Sequence, residues 1–162
     1  MPLVVNRAPV LTLWAAVVAE RLGHPFETAL TLGRAVAGSA ARRKADRDAG
    51  TPGPGVPHVT APVLLLGKTI RLLPTADGEL RAADGDQPAH PAPVARYLEN
   101  AFGDNLAEVR TAMEELADRY EPAELNRIGF RLYEKFRPVI PTGTPGWGAK
   151  AALEIENILS AT

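Results

Sequence analysis

The sequence predicts a mainly helical α+β fold, in which an N-terminal helical hairpin and several C-terminal helices lie on either side of a small antiparallel β-hairpin or meander. Apolar residues recur at helical spacing before residue 50 and again after residue 93. Between these blocks, two short apolar runs flank a Gly-Lys pair that suits a tight turn. We therefore divide the chain into a helical hairpin (1–49), a Pro/Gly linker (50–62) and a β-hairpin followed by helices (63–162), packed together as one globular unit.

The N-terminal hairpin is indicated by the residues that separate its helices. A first helix is expected over residues 10–22 and a second from Pro25 onward. Gly23 suits the left-handed position that follows a helix, and Pro25 suits the first position of the next one. Glu27 then lies at the positive end of the second helix dipole.

The first helix is apolar on nearly every side. Such a helix has to be covered all round, and one partner helix cannot provide that cover. The cover is expected from the C-terminal helices or from a second subunit. In the second case, the candidate homodimer interface consists of four residues of this helix: Leu11, Trp14, Val18 and Leu22.

The second helix becomes strongly basic toward its end, which supports an alternative hypothesis. Two helices around a Gly-containing break, followed by a hairpin, are similar to a helix-turn-helix with a wing. The charge directed at phosphates would come from Arg34, Arg42, Arg43, Lys44 and Arg47. Against this hypothesis, the first turns of the helix carry Glu27, Thr28 and Thr31 where a reading helix contacts base edges.

The central block predicts two strands, 63–66 and 69–73. Gly67-Lys68 between them is typical of a type II′ turn. Asp77-Gly78 predicts a second turn, which leads into a short strand at residues 80–82.

After an irregular loop expected over residues 83–93, the last block predicts helices. They are expected at 94–102, from about 106 onward, from Pro122 to just before Pro138, and around Leu153, Ile155, Ile158 and Leu159. A Pro/Gly loop precedes the last helix and contains Trp147, whose indole we expect to anchor the loop on the body of the protein.

Residue types that carry catalysis or bind metals are sparse. The chain has no cysteine, which excludes disulfides, thiolate nucleophiles and cysteine metal sites. His24, His58 and His90 lie near prolines in expected loops, without further ligands at helical spacing. Gly67-Lys68-Thr69 is followed by strand-like residues, whereas a phosphate-binding loop requires a helix there. We therefore predict no cofactor, no metal and no catalytic residues.

The charge distribution favours no single class of polyanionic partner. The net charge of −1 divides into +3 over residues 1–50, −1 over 51–100 and −3 over 101–162. No apolar run approaches the length that spans a bilayer, so we expect no membrane partner. Glu20 and Arg21 lie where a signal peptide carries small residues for cleavage, so we expect a first helix and a cytoplasmic protein.

Two stretches carry a resemblance. The first stretch is Ala8-Pro9-Val10-Leu11-Thr12-Leu13-Trp14-Ala15-Ala16-Val17-Val18-Ala19-Glu20-Arg21-Leu22-Gly23. The second comprises Phe136-Arg137-Pro138, Pro141 and Gly146-Trp147-Gly148. Together they resemble a group of small uncharacterised bacterial hypothetical proteins. The resemblance implies a bacterial, cytoplasmic origin and no known activity or ligand.

These observations lead to three functional hypotheses. The first is a non-enzymatic helical binding or assembly protein that forms a homodimer through its N-terminal hairpin. The alternative is a DNA-binding regulator that uses the basic side of the second helix. An enzyme comes third, and a polar pocket joining Tyr97, Arg131, Tyr133 and Trp147 would favour it.

Overall fold

Helices form most of the chain that the structure describes. The structure is a computed structural model, and it describes residues 3–5, 7–49, 60–84, 87–138 and 152–161. The helices are α1 (Arg7–Arg21), α2 (Phe26–Ala49), α3 (Pro91–Phe102), α4 (Leu106–Ala117), α5 (Pro122–Phe136) and α6 (Ile155–Ser160). The strands are β1 (Leu3–Val4), β2 (Thr60–Leu65), β3 (Lys68–Pro74), β4 (Leu80–Asp84), β5 (Gln87–Pro88) and β6 (Ala152–Leu153). The predicted mainly helical α+β class, with a helix pair, central strands and later helices, is confirmed.

The strands form two antiparallel groups. Strands β2, β3, β4 and β5 form one sheet in that order, while β1 pairs with β6. Strand β5 and the start of α3 lie within residues 83–93, so the prediction of an irregular loop there is wrong. Leu153, expected in the last helix, lies in β6. Strands of two residues show no alternation of apolar and polar residues, so the sequence pattern could not indicate them.

The first turn of the sheet differs from the prediction. Leu65 pairs with Lys68, so Leu66 and Gly67 form the two-residue loop, with φ of 51° and 82°. Positive φ at both central positions defines a type I′ turn, so the prediction of a type II′ turn centred on Gly67-Lys68 is wrong. Strand β2 also begins at Thr60, inside the range predicted as a linker. The remainder of that range, 50–59, lies outside the described residues.

The connection between α1 and α2 agrees with the sequence. Gly23 has a φ of 106°, and its N–H donates to the carbonyl of Glu20 at 2.9 Å. The N–H of His24 donates to the carbonyl of Ala19 at 3.1 Å. These two hydrogen bonds are the pair that defines a Schellman motif. They end α1 and turn the chain so that α2 packs along it, which confirms the predicted hairpin.

The chain itself covers α1. This helix packs against α2, α3, α4, α5 and β2. Among the four candidate interface residues, Trp14 and Val18 are completely buried, whereas Leu11 and Leu22 are half-buried at the edge of the core. The apolar surface that raised the alternative of a second subunit is therefore buried by the C-terminal helices and the sheet.

Asn126 on α5 holds the I′ turn from outside the sheet. Its Oδ1 accepts a hydrogen bond from the N–H of Leu66 at 2.8 Å, and its Nδ2 donates to the carbonyl of Leu64 at 2.7 Å. The turn thereby presents Leu66, which is 3% exposed, to the surface of α5 at Gly129. A side chain about sixty residues away in the sequence thus determines where the hairpin sits on the helices.

Replacing Asn126 by alanine removes both hydrogen bonds and should lower the free energy of unfolding by about 1 kcal/mol. Urea denaturation followed by circular dichroism measures this change. Asn105→Ala is a matched control because the side chain of Asn105 forms no cap hydrogen bond at the start of α4, and it should change stability by less than about 0.5 kcal/mol. Equal effects of the two substitutions would contradict the assigned role of Asn126.

Candidate functional site

Two threonines connect the first half of α2 to β4 by hydrogen bonds. The hydroxyl of Thr28 donates to the carbonyl of Leu80 at 2.5 Å. The hydroxyl of Thr31 accepts from the N–H of Ala82 at 3.0 Å and donates to the carbonyl of Thr28 at 2.7 Å. Both threonines are buried. The side of these turns that carries the two threonines is consequently buried against β4.

A buried arginine adds an ionic contact to the same junction. Arg81 on β4 lies 2.9 Å from a carboxylate oxygen of Glu27 at the start of α2, and it also pairs with Glu79. Only 8% of its side chain is exposed. A buried charge requires partners of this kind, so Arg81, Glu27 and Glu79 serve to join α2 to β4.

A cavity lies beyond this junction, where α3 approaches α2 and the edge of the sheet. Its volume is about 390 Å³. It is lined by Thr31, Arg34, Ala35, Ala82, Ala83, Ala89, His90, Pro93, Val94 and Tyr97. Small apolar side chains thus form most of its wall, and a few polar side chains interrupt it. We refer to this cavity as the α2–α3 pocket.

Arg34 and Tyr97 form a stacked pair at the pocket. The guanidinium carbon of Arg34 lies 5.6 Å from the centre of the Tyr97 ring, a distance typical of a cation–π contact. Burial raises the pKa of Tyr97 above its ordinary value of 10.0, and the positive charge of Arg34 partly opposes this rise. At neutral pH the phenol is therefore protonated and can donate a hydrogen bond.

His90 is the third polar residue of the pocket. It occupies the N-cap position of α3, but its side chain forms no cap hydrogen bond. Within the described ranges, the side chains of Arg34, His90 and Tyr97 donate no hydrogen bond and form no ion pair. Arg34 and His90 are exposed and Tyr97 is half-buried, so their polar groups are open to solvent or to a ligand.

A second cleft, of about 250 Å³, lies between α1 and α4. Its charged side chains bind one another or nearby groups: both oxygens of Glu20 accept from Arg110, at 2.8 and 2.7 Å, and Arg21 lies 3.8 Å from Asp118. Arg21 also donates to the carbonyl of Tyr120 at 3.1 Å. These contacts hold α1 against α4, so the α2–α3 pocket is the better candidate site.

Of the five basic residues that the sequence grouped, the structure describes the side chain of Arg34 alone. Arg34 lies at the α2–α3 pocket, whereas Arg42, Arg43, Lys44 and Arg47 follow in the last turns of α2, where the structure describes the backbone alone. Position 43 lies about 2.5 turns beyond position 34, which is the opposite side of the helix. The first turns of α2 bury Thr28 and Thr31 against β4 and leave Phe26 and Glu27 exposed. DNA binding stays a prediction.

Three of the four residues that would have favoured an enzyme are described, and they lie in different parts of the fold. Tyr97 lies at the α2–α3 pocket, Tyr133 is buried against Phe136 in the core, and Arg131 is exposed on α5. Trp147 and its expected anchoring role lie outside the described residues. Nothing in the local sequence indicates that α3 begins beside α2, so the sequence does not connect His90, expected in a loop, with Arg34.

Further findings limit the kinds of site that the described part of the chain offers. Within it, no group of three or more histidine, aspartate or glutamate side chains is arranged to hold a metal ion. None of its helices has the length and hydropathy needed to cross a membrane. Comparisons with protein-family models, curated proteins and solved structures give no match to this chain. The resemblance to small bacterial hypothetical proteins stays a prediction.

Proposed function

We propose that this protein is a non-enzymatic binding protein for a small organic molecule, with its site in the α2–α3 pocket. One observation carries the proposal: three polar side chains, Arg34, His90 and Tyr97, line a single cavity and form no hydrogen bond or ion pair with the described residues around it. The volume of about 390 Å³ lies within the range of small-molecule sites, which are also mostly apolar with a few polar groups.

The chemistry of the lining supports binding rather than covalent catalysis. The hydroxyl of Thr31 is engaged by two backbone groups, the N–H of Ala82 and the carbonyl of Thr28. Catalysis by a hydroxyl nucleophile requires a neighbouring base that accepts its proton, and here the proton is directed to a carbonyl group. The Tyr97 phenol, whose pKa is raised by burial, is protonated at neutral pH as an ordinary tyrosine is and can donate a hydrogen bond.

Filling the pocket should abolish binding. Ala35 on α2 is half-buried in the pocket wall, and leucine at this helical position places three further carbon atoms there without a loss of helix propensity. We expect ¹⁵N–¹H NMR screening of a fragment collection to give ligands that shift the amide signals of Ala35, Ala83 and Val94. Ala35→Leu should weaken these ligands at least tenfold, which corresponds to about 1.4 kcal/mol.

Ala123→Leu, at an exposed position of α5, is the matched control and should leave fragment binding unchanged. Circular dichroism and thermal denaturation of both variants verify that they are folded. The proposed function would be refuted if the screen yields no ligand, or if the ligands bind Ala35→Leu as tightly as the unchanged protein.

A further inference from the structure

We infer that the ligand of the α2–α3 pocket is a small organic acid, with a carboxylate or phosphate group bound by Arg34 and an apolar body held against the alanines. This inference rests on the proposed function and adds the chemical class of the ligand. It follows from the sign of the charge at the pocket, the presence of the guanidinium in its lining and the apolar composition of the remaining wall.

The charge of Arg34 is not balanced at the pocket. Among the described residues that line it, none is an aspartate or glutamate. Two less exposed arginines have acidic partners, since Arg81 binds Glu27 and Arg110 binds Glu20, whereas Arg34 is exposed. A guanidinium presents five donors in a planar fork that matches the oxygens of carboxylate or phosphate. Arg34 therefore offers this fork to a molecule that enters the pocket.

Tyr97 orients that fork. Stacking of the guanidinium on the ring restricts the long side chain of Arg34 to one region before a ligand binds. Such preorganisation lowers the entropic cost of binding. The phenol is protonated at neutral pH like any tyrosine, so its O–H can donate to the same anion.

The start of α3 also favours a negatively charged ligand. The amino-terminal end of this 12-residue helix carries a partial positive charge. Pro91 and Pro93 have no N–H, which leaves fewer backbone donors in the first turn. His90, at the N-cap, is placed to supply a donor from its side chain. Each of the three polar residues can therefore stabilise negative charge.

The apolar wall of the pocket indicates the chemistry of the rest of the ligand. Ala35, Ala82, Ala83 and Ala89, together with Pro93 and Val94, present short side chains to the cavity. Burial of apolar ligand surface against such a wall is favourable by about 25 cal/mol for each Å². A free inorganic anion would leave this wall without contacts, so an acid group on a small apolar body fits the pocket better.

Benzoate, benzamide and phenyl phosphate test the inference, because they share one apolar ring and differ in the attached group. In ¹⁵N–¹H NMR titrations of the full chain, benzoate or phenyl phosphate should bind at least tenfold more tightly than benzamide. Arg34→Gln should remove this preference, lowering the affinity for the acid about tenfold and that for benzamide less than twofold. Arg34→Lys should recover only part of it, since lysine lacks the planar fork.

Arg127→Gln, at an exposed arginine of α5, is the control and should bind all three probes like the unchanged protein. The relative affinities of benzoate and phenyl phosphate identify which acid group the pocket prefers. Benzamide binding as tightly as both acids would overturn the inference and leave the proposed function standing. Acid binding that survives Arg34→Gln, or no shift with either acid at its highest soluble concentration, would overturn the inference as well.

Discussion

Gly33→Ala should destabilise the protein by about 3 kcal/mol or more, at the upper end of the range for overpacking a core. A Cβ atom at this position would lie 2.3 Å from the carbonyl oxygen of Thr12 and 3.1 Å from the backbone nitrogen of Ala16. Both atoms belong to the backbone of α1, which cannot rotate away as a side chain can. The helix would have to move, although four other elements of the fold pack against it.

Gly129→Ala is the control for this prediction. Its Cβ would lie 2.3 Å from Cδ2 of Leu66, which is the end of a flexible side chain. We expect Gly129→Ala to lower the free energy of unfolding less than Gly33→Ala does. In a double-mutant cycle, Gly129→Ala should cost almost nothing further in a protein that already carries Leu66→Ala. Urea denaturation measures all of these variants. A Gly33→Ala protein within about 1 kcal/mol of the original would show that the two helices do not approach so closely.

The helical part of the fold could be predicted because its signals are local. Gly23 ends α1 as expected, and prolines lie at or just before the starts of α2, α3 and α5. The I′ turn depends on distant residues instead. Leu66 adopts a left-handed conformation, which costs roughly 1–2 kcal/mol for a residue with a side chain. Contacts with Asn126 and Gly129 offset this cost, and the local sequence does not reveal them.

The candidate site was predictable only in its separate parts. The sequence drew attention to Arg34 as a basic residue and to Tyr97 as a member of a polar pocket. Their stacking depends on the way α3 packs against α2, which neither helix specifies alone. The alanines of the pocket wall carry even less signal, because an alanine beside a cavity and an alanine in a tight helix contact are the same in a sequence. The site therefore became visible only with the tertiary structure.

Trp14→Ala should cost about 3–5 kcal/mol, the range for removing a large buried aromatic side chain. Trp14 is completely buried, its Nε1 donates to the carbonyl of Gly129 at 2.9 Å, and its ring centre lies 5.3 Å from that of Phe136 in an edge-to-face arrangement. Trp14→Phe keeps an aromatic ring but loses the hydrogen bond and some volume, so it should cost less. Phe130→Ala, at a ring that is 38% exposed and contacts Tyr133, serves as the control and should cost less than Trp14→Ala.

The same experiment tests whether association of two copies contributes to the stability of the fold. If it does not, the urea midpoint of the unchanged protein is independent of protein concentration, and Trp14→Ala lowers it equally at every concentration. If folding is coupled to association, the midpoint rises with concentration. Light scattering measures the mass of the native protein under the same conditions. Because Trp14 makes its hydrogen bond and its ring contact within one chain, we expect a midpoint that does not depend on concentration.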